Sequence, residues 1–169
     1  ETYLKKAQAL FPEFTADGSS YRVLTEMYLA QKREEDALAQ MLAWTRFDET
    51  ALIPLIGAAE ICRGRKDWDH AAKLLELSLY IQPYDQNTYA MLGEAAAKAG
   101  DWATAVATYQ VLVRLSPADP AEAYYNLALA WLGLGKRQEA KRATLRALEI
   151  APYFDKAQEL LLKLSAEAP

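Results

Sequence analysis

Apolar residues return every three to four positions along successive stretches of the chain, which is the spacing of amphipathic helices. Turn-forming pairs separate these stretches; Gly100–Asp101 and Gly135–Lys136, for example, each end one stretch and open the next. The chain is therefore predicted to be all-α. The pattern predicts helices near residues 2–11, 19–31, 34–47, 51–64, 68–81, 86–99, 102–115, 121–134, 137–150 and 153–165.

The same pattern also repeats at a fixed interval. Ala37 recurs as Ala71 and Ala105 at steps of 34 residues, and as Ala140 after a step of 35. Proline keeps the same steps at positions 83, 117 and 152, and a large side chain does so at positions 21, 55, 89 and 124. Self-similarity at this interval predicts a stack of equal units, each too small to bury its apolar face alone.

Residues 121–152 resemble the tetratricopeptide repeat along their whole length. The residues that carry the resemblance are Tyr124, Leu127, Ala128, Trp131, Ala140, Ala147 and Pro152. The unit from residue 18 resembles it less closely, because Glu49 stands where the closing proline is expected. The resemblance is to a bacterial tetratricopeptide domain of a larger protein, and it implies an α-solenoid, a right-handed superhelix of stacked antiparallel helix hairpins.

The repeat spacing also divides the chain. We predict four repeats, at residues 18–51, 52–85, 86–120 and 121–154. Residues 1–17 are predicted to hold the second helix of a truncated repeat, and residues 155–169 a helix that caps the stack. Because the chain opens at Glu1 inside a helical pattern, we expect it to be part of a longer protein.

Composition narrows the function. The net charge of −4 disfavours a nucleic-acid-binding protein, which usually carries a basic face. No apolar run reaches the roughly 18 residues of a membrane span, so no membrane insertion is expected. Cys62 is expected to be a buried structural thiol and His70 a surface residue at a helix end. Lacking catalytic motifs, the chain is predicted not to be an enzyme and to use no cofactor or metal; a cytoplasmic and a periplasmic location both remain open.

The resemblance implies that the first helix of each repeat lines a concave groove. The candidate groove residues are Arg22, Glu26, Ile53, Ile56, Glu60, Arg63, Asn87, Glu94, Lys98, Glu122, Tyr125 and Leu129. Glu26, Glu60 and Glu94 hold the same place in three units, so a basic or amphipathic partner is favoured over an acidic one. The equally weighted alternative is that these carboxylates are solvated or paired with nearby cations. A clamp for a chaperone C-terminus is disfavoured, because Glu stands where such a clamp needs Asn.

These features predict a protein–protein interaction scaffold that binds a peptide or partner helix in its groove. One alternative is a non-catalytic C-terminal appendage of a bacterial enzyme such as a peptidase, whose terminal repeats the segment ALEIAPYFDKAQELLLKL resembles loosely. Another is a self-associating module, a homodimer through the N-terminal end, where Tyr3, Leu4 and Leu10 are expected to be uncovered.

Overall fold

The structure, a computed structural model, describes residues 1–166. The chain divides into two compact units, with the boundary between Pro83 and Tyr84. The capping helix is predicted for residues 155–169, and the last three of these lie outside the described part of the chain. Within the described residues every element is an α-helix or a turn, as the sequence predicts.

The first unit holds one single helix followed by two hairpins. Helix α1 precedes the hairpin of α2 and α3, and α4 and α5 form the second hairpin, with α3 packed against α4. The bounds of these helices are α1 Thr2–Leu10, α2 Ser20–Ala30, α3 Glu34–Thr45, α4 Leu52–Gly64 and α5 Trp68–Ile81.

The second unit holds two hairpins followed by one single helix. Helices α6 and α7 pair, α8 and α9 pair, α7 packs against α8, and α10 packs against α9. Their bounds are α6 Gln86–Ala99, α7 Trp102–Arg114, α8 Pro120–Gly133, α9 Arg137–Ile150 and α10 Asp155–Ala166. All helix ends lie within two residues of the positions predicted from the hydrophobic pattern.

Small residues allow the helices of each hairpin to approach closely. Ala37, Ala71, Ala105 and Ala140, which mark the repeat in the sequence, are all fully buried. Around them pack larger side chains such as Leu24 and Tyr28 in the first unit and Tyr109, Leu112 and Leu127 in the second. The repeat spacing therefore records a packing requirement, because a larger side chain at these alanines would push the two helices apart.

Helices α2, α5, α6, α7 and α8 each begin at a hydroxyl or acidic side chain that caps them. Ser19 accepts a hydrogen bond from the backbone N–H of Arg22 at the start of α2. Before each of α5, α6, α7 and α8, an aspartate accepts a hydrogen bond from the backbone N–H three residues later. Such caps satisfy N–H groups that have no partner inside the helix. The extra residue before the fourth repeat is accommodated in the loop before α8. Helix α8 has Asp119 as its N-cap and Pro120 in its first turn.

All four hairpins turn in the same way. One or two positions after the first helix of each hairpin, a residue has positive φ. The N–H of the residue that follows it donates to a carbonyl five positions earlier, as from Asp101 to Ala96 at 2.9 Å. Glycine occupies this left-handed position in the second unit, at Gly100 and Gly135. Lysine occupies it in the first unit, as Lys32 with φ 58° and Lys66 with φ 61°. A side chain is strained in this region, so the turns of the first unit are formed at a conformational cost.

Candidate functional site

The candidate residues of the first unit lie on α2 and α4. On α2, the Arg22 side chain is half-buried and its Nε donates to Glu26 Oε1 at 3.0 Å. Arg22 also pairs with Asp17 in the preceding loop. The carboxylate of Glu26 remains largely exposed, so this pair is a surface ion pair of the kind the sequence left open.

Helix α4 presents an apolar side chain to solvent beside its charged residues. Ile53 is 63% exposed, whereas Ile56, one turn further along, is half-buried. Glu60 is exposed and Arg63 is half-buried. Helix α4 thus carries one strongly exposed apolar side chain and one exposed carboxylate among the candidate residues.

In the second unit, two candidate carboxylates gather around a buried tyrosine. Glu94 of α6 and Glu122 of α8 are both half-buried, and these two helices contact each other directly. The phenol of Tyr109, from α7, lies within their electrostatic reach. Burial, followed by the charges of Glu94 and Glu122, raises the pKa of the Tyr109 hydroxyl, which therefore stays protonated. The sequence predicted Glu94 and Glu122 as surface positions but gave no sign of this shared tyrosine.

Tyr125 is more deeply placed than predicted. The sequence predicts Tyr125 as a groove residue, but its ring is half-buried against the core of the second unit and meets Phe154 edge-on, with ring centroids 5.3 Å apart. Burial, with smaller contributions from Glu122 and Glu159, raises the pKa of its hydroxyl. Lys156 Nζ lies 3.8 Å from Glu122 Oε1, so α10 adds a cation to this surface.

The remaining candidates of the second unit are accessible. Asn87 and Lys98 are exposed on α6, and Leu129 is 37% exposed on α8. The neighbouring Leu132 has a similar exposure of 38%. Helix α8 thus carries two partly exposed leucines on its surface.

Cys62 and His70 are the residue types best suited to catalysis or metal binding, and neither lies in a catalytic arrangement in the described chain. Cys62 is buried, and burial raises the pKa of its thiol, as expected for a structural cysteine. His70 is exposed near the start of α5, where its Nδ1 lies 2.8 Å from the carboxylate of the cap residue Asp67. Among the described residues, no three His, Cys, Asp or Glu side chains form a group able to hold a metal ion. The same part of the chain has no helix of the length and apolarity needed to cross a bilayer.

The comparison with protein families matches this geometry. The family model of the tetratricopeptide repeat matches residues 121–154, the segment with the fullest resemblance in the sequence. A tetratricopeptide repeat-containing protein of Picosynechococcus is 40% identical over 72 residues, 43% of this chain and 17% of that protein. Residues 121–154 of this chain are therefore a tetratricopeptide repeat.

Other relatives and solved structures share these tetratricopeptide hairpins. The heat shock protein sti1 homolog of Schizosaccharomyces pombe is 30% identical over 92 residues, 54% of this chain and 15% of that protein. The chain therefore spans less than a fifth of the length of either curated relative. MamA of Desulfovibrio magneticus is 23% identical, with a TM-score of 0.71 over 86% of this chain and 82% of its own. The predicted fold class of stacked helical hairpins is thus confirmed.

One similar structure holds a ligand. The first tetratricopeptide domain of Spaghetti (RPAP3), solved with the HSP90 peptide SRMEEVD, is 23% identical to this chain. Its TM-score is 0.61, and the match covers 70% of this chain and 94% of that domain. At this identity the likeness shows the fold alone, so the ligand belongs to that domain and not to this one.

Proposed function

We propose that this chain is a non-catalytic scaffold that binds a polypeptide on the exposed faces of its first helices. The observation that carries the proposal is Ile53, a large apolar side chain 63% exposed on α4 in the same helix as the exposed Glu60. The tetratricopeptide match at residues 121–154 supports it, since a domain of the same fold was solved with a bound peptide. An apolar contact flanked by charge fits an amphipathic segment, which would bury its apolar side against the isoleucine.

We further propose that the preferred partner is basic. The first helices carry Glu26, Glu60 and Glu94 at one repeat position, and the first two are exposed. A Lys- or Arg-bearing segment would gain from these carboxylates, whereas an acidic C-terminal peptide would be repelled. The chain therefore differs in expected ligand from the domain solved with SRMEEVD.

Two fluorescent peptides test this proposal on the full chain. One is SRMEEVD, and the other is an amphipathic helix of Leu and Lys; anisotropy is measured for each. We expect the basic amphipathic peptide to bind and SRMEEVD to bind at least about tenfold more weakly, because the charge pattern is reversed. Tighter binding of SRMEEVD would reject the proposal of a basic partner. If neither peptide binds, the result would contradict peptide binding on the first helices.

A pair of matched variants locates the contact. Ile53→Ser removes the exposed isoleucine of α4, a first helix, and Leu77→Ser removes a leucine that is 51% exposed on α5, a second helix. We expect only Ile53→Ser to weaken binding of the basic peptide. Equal effects of the two changes would show that binding is not directed to the first helices.

The N-terminal end supports a second candidate function, self-association. Tyr3 is 85% and Leu10 73% exposed, as expected, and Phe11 and Phe14 add further exposed apolar area. Leu4 differs from the expectation, because it is half-buried against Leu24 and Tyr28. A cavity of about 360 Å³ lies between this segment and the start of α2. Sedimentation velocity tests the candidate: a concentration-dependent dimer that Leu10→Glu abolishes supports it, and a monomer at high concentration rejects it.

A further inference from the structure

Tyr109 is buried in the second unit, with the hydroxyl end of its ring against a first helix. The residue belongs to α7, a second helix, and is 5% exposed. Its Cζ atom, which carries the hydroxyl, lies so close to Gly93 of α6 that a Cβ there would stand 2.6 Å from it. Because Gly93 has no side chain, the ring fits against the backbone of α6, and its hydroxyl end meets that helix one residue before Glu94.

Two carboxylates on first helices lie near this phenol. Glu94 is on α6 and Glu122 is on α8; both are half-buried, and the two helices contact each other. Besides burial, the charges of Glu94 and Glu122 raise the pKa of Tyr109, so both carboxylates lie within electrostatic reach of its hydroxyl. Within the described residues no hydrogen bond holds this hydroxyl. A side chain that is almost completely buried thus directs an unpaired hydroxyl toward two charged groups, which is unusual in a folded protein.

The cation that pairs with Glu122 is loosely held. Lys156 Nζ lies 3.8 Å from Glu122 Oε1, near the upper limit of an ion pair, and the Lys156 side chain is 63% exposed. Such a surface contact contributes little, so another cation can replace Lys156 at small cost. Glu122 and Glu159 both raise the pKa of Tyr125, which adds a second phenol and a third carboxylate to this surface. The surroundings of Glu122 therefore favour a cation.

We propose that Tyr109, Glu94 and Glu122 form a subsite for one lysine side chain of the partner, which rests on the proposed binding of a basic polypeptide. A lysine ammonium has three donors and no acceptor. The two carboxylates and the phenol oxygen are acceptors from three different helices, an arrangement that suits a compact charge better than the planar fork of an arginine. Partial burial strengthens these contacts relative to those at the exposed Glu26 and Glu60.

Removal of one hydroxyl tests the subsite, with the fluorescent amphipathic peptide of Leu and Lys as the probe and anisotropy measured on the full chain. Tyr109→Phe keeps the ring and removes only the acceptor, so we expect it to weaken binding by at least about threefold. The melting temperature should stay nearly unchanged, because the hydroxyl has no hydrogen-bond partner in the unbound chain. The matched control is Tyr80→Phe, which alters a tyrosine that is 87% exposed on α5, a second helix, and should leave binding unchanged.

A charge variant tests whether the hydroxyl and the carboxylate share one ligand. Glu122→Gln should weaken binding of the Lys peptide by at least about threefold, because a charge-assisted hydrogen bond is lost. Glu139→Gln removes the same charge from α9, a second helix, and should have a smaller effect. In the Glu122→Gln background Tyr109→Phe should cost less than it does alone, because both groups contact the same ammonium. Fully additive losses would overturn the proposal.

A second peptide, with Arg in place of every Lys, has the same charge and tests the assignment to lysine. Tyr109→Phe should reduce its affinity less than that of the Lys peptide, because the guanidinium does not match the three acceptors. An equal reduction for both peptides would overturn the assignment.

The remaining outcomes separate the subsite from the proposed function. If the Lys peptide binds and Ile53→Ser weakens it, but Tyr109→Phe and Glu122→Gln do not, the subsite is rejected and binding on the first helices stands. A marked fall in the melting temperature of Tyr109→Phe would also overturn the subsite, because the hydroxyl would then stabilise the unbound chain. Absence of binding to the unchanged chain would reject both proposals.

Discussion

Gly93 of α6 lies directly against the ring of Tyr109 of α7. A Cβ atom on Gly93 would stand 2.6 Å from both Cε1 and Cζ of that ring, much closer than carbon atoms approach in proteins. Both residues are buried in the second unit. At the equivalent positions of the second repeat stand Ala59, which carries a Cβ, and Leu75, which is smaller than tyrosine. The glycine thus makes room for the tyrosine ring, and the two side-chain sizes compensate each other.

We expect Gly93→Ala to lower the free energy of unfolding by about 1–3 kcal/mol, because the added methyl group overpacks the ring of Tyr109. Urea denaturation measures the change. The matched control is Gly64→Ala near the end of α4, where a Cβ would meet nothing within 4 Å. There alanine is expected to be neutral or to stabilise by up to about 1 kcal/mol, since it favours the helix over glycine.

A double variant identifies the cause. Tyr109→Leu alone should also destabilise the chain, but Gly93→Ala combined with Tyr109→Leu should cost less than the sum of the two changes, because the smaller side chain vacates the space. Strictly additive effects would show that the Gly93–Tyr109 contact is not the origin of the loss.

The strain in the hairpin turns can be tested by exchanging the residue types at equivalent positions of two turns. Lys66 and Gly100 hold the same left-handed position, with φ of 61° and 83°. Lys66→Gly should raise the free energy of unfolding by about 1 kcal/mol by relieving the strained side chain, and Gly100→Lys should lower it by a similar amount. Urea denaturation of the two variants gives both values, and the same sign of change in both would contradict the explanation.

Much of the fold follows from local sequence. The helix ends were predicted within two residues because caps such as Asp101 and turn glycines such as Gly100 mark them in the chain. The turns of the first unit were less evident, because Lys32 and Lys66 give no sequence signal of positive φ. Their conformation follows from the hairpin geometry that all four repeats share.

The contacts between polar side chains were harder to predict than the helices, because they join residues that are far apart in the chain. Glu1 meets Tyr28 and Arg33 across 27 and 32 positions, and no spacing rule connects them. The proximity of Tyr109 to Glu94 and Glu122 likewise depends on three different helices. The repeat pattern assigned each of these residues to a helix, but the pairing of their polar atoms depends on packing that the pattern does not encode.

The Glu1 contact predicts a specific pH dependence. Its hydrogen bonds to Lys5 first, and then to Arg33 and Tyr28, lower the pKa of Glu1 from 4.5 to about 2. The other charged group at this contact is Asp36, whose carboxylate pairs with the same Arg33 side chain. A folded-state pKa below the unfolded value gives a stabilising contribution that is complete above about pH 4.5 and is lost as pH falls toward 2.

We therefore expect the unchanged chain and Glu1→Gln to differ in hydrogen–deuterium exchange of the α1 amides by a constant factor above about pH 5, and by progressively less below it. Protection factors corrected for intrinsic exchange measure this difference. The two should converge as the pH falls toward about 2, because the protonated carboxyl resembles the amide. A difference that persists unchanged to that pH would show that the charge of Glu1 does not hold α1 on the first hairpin.

The carboxylates of the first helices give the last prediction. Changing Glu26, Glu60 and Glu94 together to Gln should leave the melting temperature nearly unchanged, since the pairing of Glu26 with Arg22 is a surface ion pair worth about 0–1 kcal/mol. Binding of the basic amphipathic peptide should weaken, and its dependence on salt should decrease, because fewer charges attract the ligand. The matched control changes Glu34, Glu35 and Glu76, which are exposed on second helices, to Gln and so removes the same net charge. If both triple variants weaken binding equally, long-range charge attracts the peptide and the carboxylates of the first helices do not form its site.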